Sequence, residues 1–437
     1  MIDPRIVIAQ QPMRAAQIVV VAICIALNAL DGFDVLAISF AAPGIAKEWG
    51  IGRAMLGVVL SMELIGMAIG SVLIGNVADR VGRRPTIIGC AIVMATGMFA
   101  AAGATGLGML SITRLFTGFG IGGMLATTSA MVAEFSNDRR RPLALSLNIA
   151  GYSAGAITGG ALASVLLADH GDWRSVFLCG GVATALLIPL VWMFLPESIE
   201  SLIARRPVDA LARVNGTLGR LGIAQVDALP ERVATVEKTS FTALFSGGLR
   251  PVTILLTIAY FAQIMAFYYI QKWTPKIVVD MGFDPSEAGR VLVCANIGSL
   301  TGAIMLGLAS QRFHLRSAIV FAMVAAFVAI GMYGVVRPNL LQLSIVAAIA
   351  GFFTNSGVVG LYPVLAQTYP AALRAGGTGF VIGMGRGGSA IGPVLAGALF
   401  ATGASLLTVS LVLASGTLVA ALMLVLLPFA QLRAVPS

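Results

Sequence analysis

Gly75-Asn76-Val77-Ala78-Asp79-Arg80-Val81-Gly82-Arg83-Arg84 is a short charged interval between two long apolar runs. The runs, near 54–77 and 85–105, are each long enough to cross a hydrocarbon layer of roughly 30 Å at about 1.5 Å per residue. The interval therefore reads as a tight turn at one face of a membrane. Gly75 lets two helices approach, Asp79 caps or pairs at the next helix start, and Arg80, Arg83 and Arg84 anchor at the interface. Working outward, similar runs recur near 17–42, 108–133, 143–168, 174–195, 251–273, 287–309, 317–336, 340–365, 376–402 and 405–428, which makes twelve.

The polar stretch 196–250 divides them six and six. The expected organisation is a six-helix bundle over 1–195, a linker over 196–250 with helix-compatible stretches such as Val208–Val214, and a second bundle over 251–437. The first run is too long for a signal peptide and has no small-residue cleavage site behind it.

Composition supports the same class. The chain is 58% apolar and 11% charged, whereas a soluble domain carries about 25% charged residues. Mean hydropathy is +0.94. Intrinsic disorder, nucleic-acid binding and a disulfide scaffold are excluded. Cys24, Cys90, Cys179 and Cys294 lie far apart inside apolar runs and read as packing residues. The net charge of +9 has a topological reading. One set of loops holds most of the basic residues, including Arg5, Arg14, Arg80, Arg83, Arg84, Arg139–Arg141, Arg205, Arg206, Arg232, Lys238, Arg312, Arg374 and Arg433. The opposite set holds Lys47, Arg53, Arg174, Lys272, Lys276, Arg290 and Arg337. Both termini and the linker are thus expected in the cytoplasm, and the chain in the inner (plasma) membrane.

The halves repeat weakly. Gly75, Arg80 and Arg84 are matched about 232 residues later by Gly307, Arg312 and Arg316, with Gln311 in place of Asp79. Gly118 matches Gly351, Arg141 matches Arg374, Gly155 matches Gly388 and Gly159 matches Gly392 at nearly the same offset. Several matches in register indicate duplication of a six-helix unit. The charged interval then reads as a conformational latch, with Glu134 at the end of span four belonging to it together with Gly82 and Arg141.

Twelve spans, the even split and the Gly75–Arg84 interval resemble the major facilitator superfamily over essentially the whole chain. Asp31-Gly32-Phe33-Asp34 in span one, and Gly383–Gly388 followed by Gly392-Pro393 in span eleven, are similar to the signatures of the aromatic acid/proton symporters within it. The resemblance implies an all-α integral membrane fold of two pseudo-symmetric six-helix bundles.

Charges inside the membrane carry the functional signal. Asp31, Asp34, Glu63, Arg114 and Arg386 all fall within apolar spans, where an ionised group costs at least about 2.5–3.5 kcal/mol at the centre. Helix rise places the three acids and Arg114 in one layer, within about two turns, and Arg386 near the midplane. Asp31 and Asp34 share a helix face at i, i+3. One cation does not neutralise three neighbouring carboxylates, so at least one is expected to hold a proton and pass it across. Arg386 has a permanently charged fork suited to a carboxylate, and Arg114 is expected with it among the substrate-binding residues.

Span seven is rich in aromatic residues, from Tyr260 to Trp273, with Gln263 and Phe267 on one face; Phe352, Phe353 and Asn355 lie in span ten. These residues would give a ring flat walls and an amide hydrogen bond. Tyr268, Tyr269 and Trp273 equally suit an aromatic belt at the interface.

Gly118–Gly123 fits the dinucleotide fingerprint and Gly151–Gly155 the hydrolase elbow, but both sit mid-span. Close helix packing accounts for them, with span five packing against span eight. No Walker loop or metal-ligand cluster occurs, so no cofactor is expected, only a proton gradient as energy source. The expected function is not enzymatic: uptake of a small aromatic carboxylate with protons, by a monomer. A non-aromatic organic acid, sugar or polyol is the alternative substrate class, and a non-transporting receptor the alternative function.

Overall fold

The computed structural model describes residues 3–230, 244–246, 249–370 and 373–427. Arg232, Lys238 and Arg433, which contribute to the charge bias, lie outside the described residues, as does the side chain of His170. Among the described residues the regular structure is helical. The first long helices are α2 (Ala15–Trp49), α3 (Arg53–Val81), α4 (Arg83–Ala102), α5 (Leu107–Phe135), α6 (Arg141–His170) and α7 (Arg174–Phe194). The second six are α10 (Leu249–Asp280), α11 (Pro285–Ala309), α12 (Leu315–Tyr333), α13 (Leu340–Thr368), α14 (Arg374–Ala401) and α15 (Leu406–Leu426). Three short helices complete the set: α1 (Pro4–Gln10), α8 (Ile199–Arg205) and α9 (Ala210–Arg220).

Eleven of the long helices are long and apolar enough to cross a membrane. The twelfth, α14, is as long, but its many glycines and Arg386 lower its hydropathy. Several helices run past the apolar stretches that predict them: α2 continues to Trp49, α3 to Val81 and α10 to Asp280. A helix does not end where hydrocarbon ends, because its backbone bonds are satisfied internally in either medium. Helix α1 has no counterpart among the apolar runs. Asp3 caps it by accepting from the Arg5 amide at 2.9 Å and pairs with the Arg5 guanidinium at 2.6 Å, which holds the Asp3 carboxyl below its ordinary range.

The chain forms two compact units. The first contains α2 up to Val35, α3 from Gly66, α4, α5, α6 up to Gly159, α7 and the start of the 196–250 stretch. The second contains Leu36–Ile65, Gly160–Trp173 and the helices of the second half.

The sequence repeat has a geometric counterpart inside each unit. In the first, Gly66 and Gly70 press on the carbonyls of Leu115 and Phe119; in the second, Gly298 and Gly302 press on those of Ala348 and Phe352. Gly155 lies on the Ala29 carbonyl and Gly159 on the Phe33 ring; their counterparts Gly388 and Gly392 lie on the carbonyls of Phe261 and Met265. At each of these places a Cβ would collide, so glycine is needed for backbone-to-backbone contact, where weak Cα–H···O bonds contribute about 0.5–1 kcal/mol each. The fingerprint glycines follow suit: Gly120 meets α4, and Gly122 and Gly123 meet α3.

One packing expectation is corrected. Span five is α6, and Gly151, Gly155 and Gly159 face Ile25, Ala29 and Phe33 of span one. Of this helix's glycines only Gly160 reaches span eight, at Val293, and Ser164 meets Gly289 there, so the expected contact holds at one end of the helix. The glycine spacing defines one smooth face but does not say which neighbour fills it.

Candidate functional site

In the first unit, Asp31 and Asp34 are buried on α2, and Arg114 is fully buried on α5. Arg114 Nη2 donates to the main-chain carbonyl of Asp34 at 2.8 Å, and Nη1 lies 3.0 Å from Met98 Sδ. The guanidinium sits over the Phe177 ring, 5.3 Å from its centroid. Asp34 Oδ1 rests against the bare Cα of Gly180, where a Cβ would stand 3.0 Å away. Asp34 and Arg114 are therefore brought together as the sequence suggests, with Asp31 one turn away.

Glu63 belongs to the second unit and has its own cation. Lys272 Nζ on α10 lies 3.3 Å from Glu63 Oε2, and neither side chain has any exposed surface. The expectations that Lys272 is a loop residue and that three acids share a single cation are both corrected. Lys272 lies eight residues before the end of α10, because that helix runs to Asp280. The first half of α3 is held on α10 and α14 throughout. Arg53 pairs with Asp280 at 2.9 Å, Ser61 Oγ donates to the Ala390 carbonyl at 2.6 Å, and Gly57 lies against the Pro393 carbonyl.

Also in the second unit, Arg386 is half-buried on α14 and lies within electrostatic reach of Tyr260. Tyr260 lays its ring on Gly385 and places its hydroxyl 3.3 Å from that of Tyr362. Gln263 is fully buried; its Nε2 donates to the Thr354 carbonyl at 2.9 Å, and its Oε1 accepts no hydrogen bond among the described residues. Phe267 meets Tyr268 edge-on at 5.3 Å.

Asn355 is engaged in packing, since its amide donates to the Ser299 carbonyl at 2.8 Å. It occupies the place that Gly122, set against the Met67 carbonyl, holds in the first half. Tyr269 and Trp273 do not form an interfacial belt. Both are buried, with Tyr269 bonded to Ser410 at 2.9 Å.

The latch residues are only partly assembled. The turn at 75–84 shrinks to one residue, since α3 runs to Val81 and α4 starts at Arg83, with Gly82 between them at φ +119°. Gly75 makes no close approach, because a Cβ there would meet nothing within 4 Å. Asp79 and Arg80 are exposed, and Asp79 does not cap α4. Glu197 does so instead: its Oε1 accepts from the amides of Arg83 and Arg84 at 2.9 and 3.2 Å.

Arg83 pairs with Glu134 at 2.7 Å and Glu200 at 3.2 Å, and Ser198 Oγ donates to Glu134 at 2.7 Å. Arg205 bonds the main-chain carbonyls of Arg80 and Val81. Arg141 secures the end of α5 through the Ala133 carbonyl at 2.9 Å and pairs with Asp138 at 2.9 Å. Arg312 and Arg374, in the second unit, are exposed. Among the described residues no group of three metal-ligating side chains occurs, and all four cysteines are free.

The family model described as Major Facilitator Superfamily matches residues 23–338 and 256–436. This chain belongs to that superfamily. As a facilitator it is a multi-pass membrane transporter and not an enzyme. Along its full length it is 30% identical to the gallate transporter of Pseudomonas putida, covering 97% of that protein. It is 30% identical to the 4-hydroxybenzoate transporter PcaK of Pseudomonas putida over 90% of this chain and 88% of that one. It is 29% identical to the 3-(3-hydroxy-phenyl)propionate transporter of Escherichia coli over 95% of each. In fold it is similar to the xylose transporter XylE from E. coli in an inward open conformation, with a TM-score of 0.72 and 16% identity over 94% of this chain and 96% of that one. It is also similar to a bacterial homolog of the human lysosomal transporter Spinster in an inward-facing, occupied conformation, with a TM-score of 0.76 and 14% identity over 98% of this chain and all of that one.

In this facilitator Lys272, Tyr362 and the acidic side of the latch, Glu197 and Glu200, do not stand out from the sequence as functional residues. Lys272 was detectable as a charge one residue before the end of an apolar run. The others lie in the linker or on a span face that only packing identifies.

Proposed function

We propose that this facilitator takes up a small aromatic carboxylate, hydroxybenzoate-like, together with protons by alternating access. Asp31 and Asp34 beside Arg114 carry the reading: two buried carboxylates at i, i+3, where each ionised group costs at least about 2.5–3.5 kcal/mol. In this reading one of the two aspartates takes a proton from outside and releases it inside, while Arg114 holds α2 in register through the Asp34 carbonyl. Arg386 takes the substrate carboxylate in two parallel hydrogen bonds. Tyr260 and Tyr362 beside it suit a ring, and Gln263 Oε1 is an acceptor fit for a ring hydroxyl. The names of the full-length relatives support an aromatic acid as substrate.

Glu63, with Lys272 as its fixed partner, is assigned to closing α3 onto α10 and α14. Glu134, Arg83 and the Gly82 turn form the latch at the opposite helix ends, with Asp79, Arg80, Arg84, Arg141, Arg312 and Arg374 joining it in the other conformation. The working arrangement is a monomer in the inner membrane, with six-helix halves over 1–195 and 251–437, the linker and both termini in the cytoplasm, and no cofactor.

Vesicles containing the protein, given labelled 4-hydroxybenzoate with and without an imposed pH gradient, test this reading. Accumulation that follows the gradient is expected. Accumulation indifferent to it rejects symport, and competition by aliphatic acids or sugars as strong as by benzoates rejects the substrate class.

A further inference from the structure

Beside the Gly82 turn, wholly within the first unit, lies a cleft of about 560 Å³. Its lining includes Arg84, Arg205, Arg213 and Arg220 against one carboxylate, Glu197. Glu197 is already committed to the first amides of α4 and to Arg205 at 3.8 Å. Arg213 and Arg220 are exposed and stand two turns apart on one face of α9, while Val214 and Leu218 on its other side are buried. Helix α9 therefore cannot turn those arginines away without exposing its own packing face. No ion pair to either occurs among the described residues. Four guanidinium groups lining one cleft with a single carboxylate among them repel one another, and a bound anion relieves that repulsion.

The surroundings say which kind of anion. Trp192 lines the cleft and is 64% exposed, and the Arg84 guanidinium stacks 5.6 Å from its ring centroid and donates to its carbonyl at 2.6 Å. From there, exposed Met193, Leu190 and Leu186 continue along α7, and exposed Val81 and Val77 along α3. These are apolar strips of membrane-crossing helices, and tryptophan at such a helix end marks headgroup depth. A soluble anion has no use for an apolar approach of this kind, whereas a lipid phosphate arrives with acyl chains attached.

We propose that the cleft seats the phosphate of an anionic phospholipid, with Arg213 and Arg220 on the headgroup and the acyl chains along α7 and α3. The site is independent of the transported substrate. Because Arg205 also holds the carbonyls of Arg80 and Val81, an occupied cleft ties α9 to the latch.

Native mass spectrometry of the full-length protein released from detergent, with phosphatidylglycerol or phosphatidylcholine added, tests the proposal. One phosphatidylglycerol is expected to stay bound under conditions that strip phosphatidylcholine. The R213Q/R220Q variant is expected to weaken that adduct by about tenfold or more, at about 1 kcal/mol per basic residue, with an unchanged thermal midpoint. R213K/R220K should retain most of the binding, and R337Q, at an exposed arginine outside the cleft, all of it. Equal retention of the two lipids, wild-type binding by R213Q/R220Q, or an equal loss in R337Q overturns the site. Displacement of phosphatidylglycerol by equimolar inorganic phosphate overturns the lipid as its occupant.

Discussion

Lys272 and Glu63 share a medium that water does not reach, so neither side chain has an alternative partner in solvent. Removing one partner takes the nearest counter-charge from a buried ion, at a cost of roughly 3–5 kcal/mol, whereas replacing both with neutral groups of similar size is far milder. E63Q and K272M are each expected to lower the thermal midpoint in detergent, and the double variant to recover most of the loss. A double variant as unstable as either single one would show that the charges are not paired. The residues proposed for transport chemistry make different demands. Asp31→Asn is expected to abolish gradient-driven accumulation while leaving counterflow exchange partly intact, because exchange needs no net proton movement. Arg386→Lys keeps the charge but loses the fork. Its apparent KM for 4-hydroxybenzoate should rise about tenfold, the equivalent of one charge-assisted hydrogen bond, and an unchanged KM would remove Arg386 from the substrate.

Helices were the most legible part of the sequence, since the thickness of a bilayer dictates the length of an apolar run. Every run yielded a helix within a few residues, apart from the extensions of α2, α3 and α10 beyond the ends of their apolar runs. Contacts between helices were less legible. A glycine every fourth residue states that a backbone comes close, but not whose, and three of span five's four glycines accordingly pack on span one while only the fourth meets the expected span eight. Gly75 makes the same point, having been read as an approach where there is open space. The contrast is testable. Gly155→Val and Gly298→Val, each driven into a facing carbonyl, are expected to destabilise by about 1–3 kcal/mol or prevent insertion. Gly75→Ala should be neutral or stabilise α3 by up to about 1 kcal/mol. If Gly75→Ala is stable yet transports poorly, its open space is filled in another conformation.

Across the whole molecule, the charged groups of the latch and the buried acids were visible as residue types, but their partners were not. Glu197 and Glu200 sit in a stretch read as a linker, more than a hundred residues from the arginines they meet, and Asp79 stood closer in sequence to the amides it was expected to cap. Glu197→Ala is expected to cost about 0.5–2 kcal/mol through the lost α4 cap, with Asp79→Ala near zero by the same thermal assay. The ion pairs also differ in their access to solvent. Arg83–Glu200 and Arg53–Asp280 are partly exposed, whereas Glu63–Lys272 is sealed. Dissolved ions shorten the range of a field to about 8 Å at physiological strength, but only where they can enter. Added potassium chloride should thus loosen the peripheral clasps and leave the innermost one untouched, so that brine and mutation together would sort the ion pairs by the water each can reach.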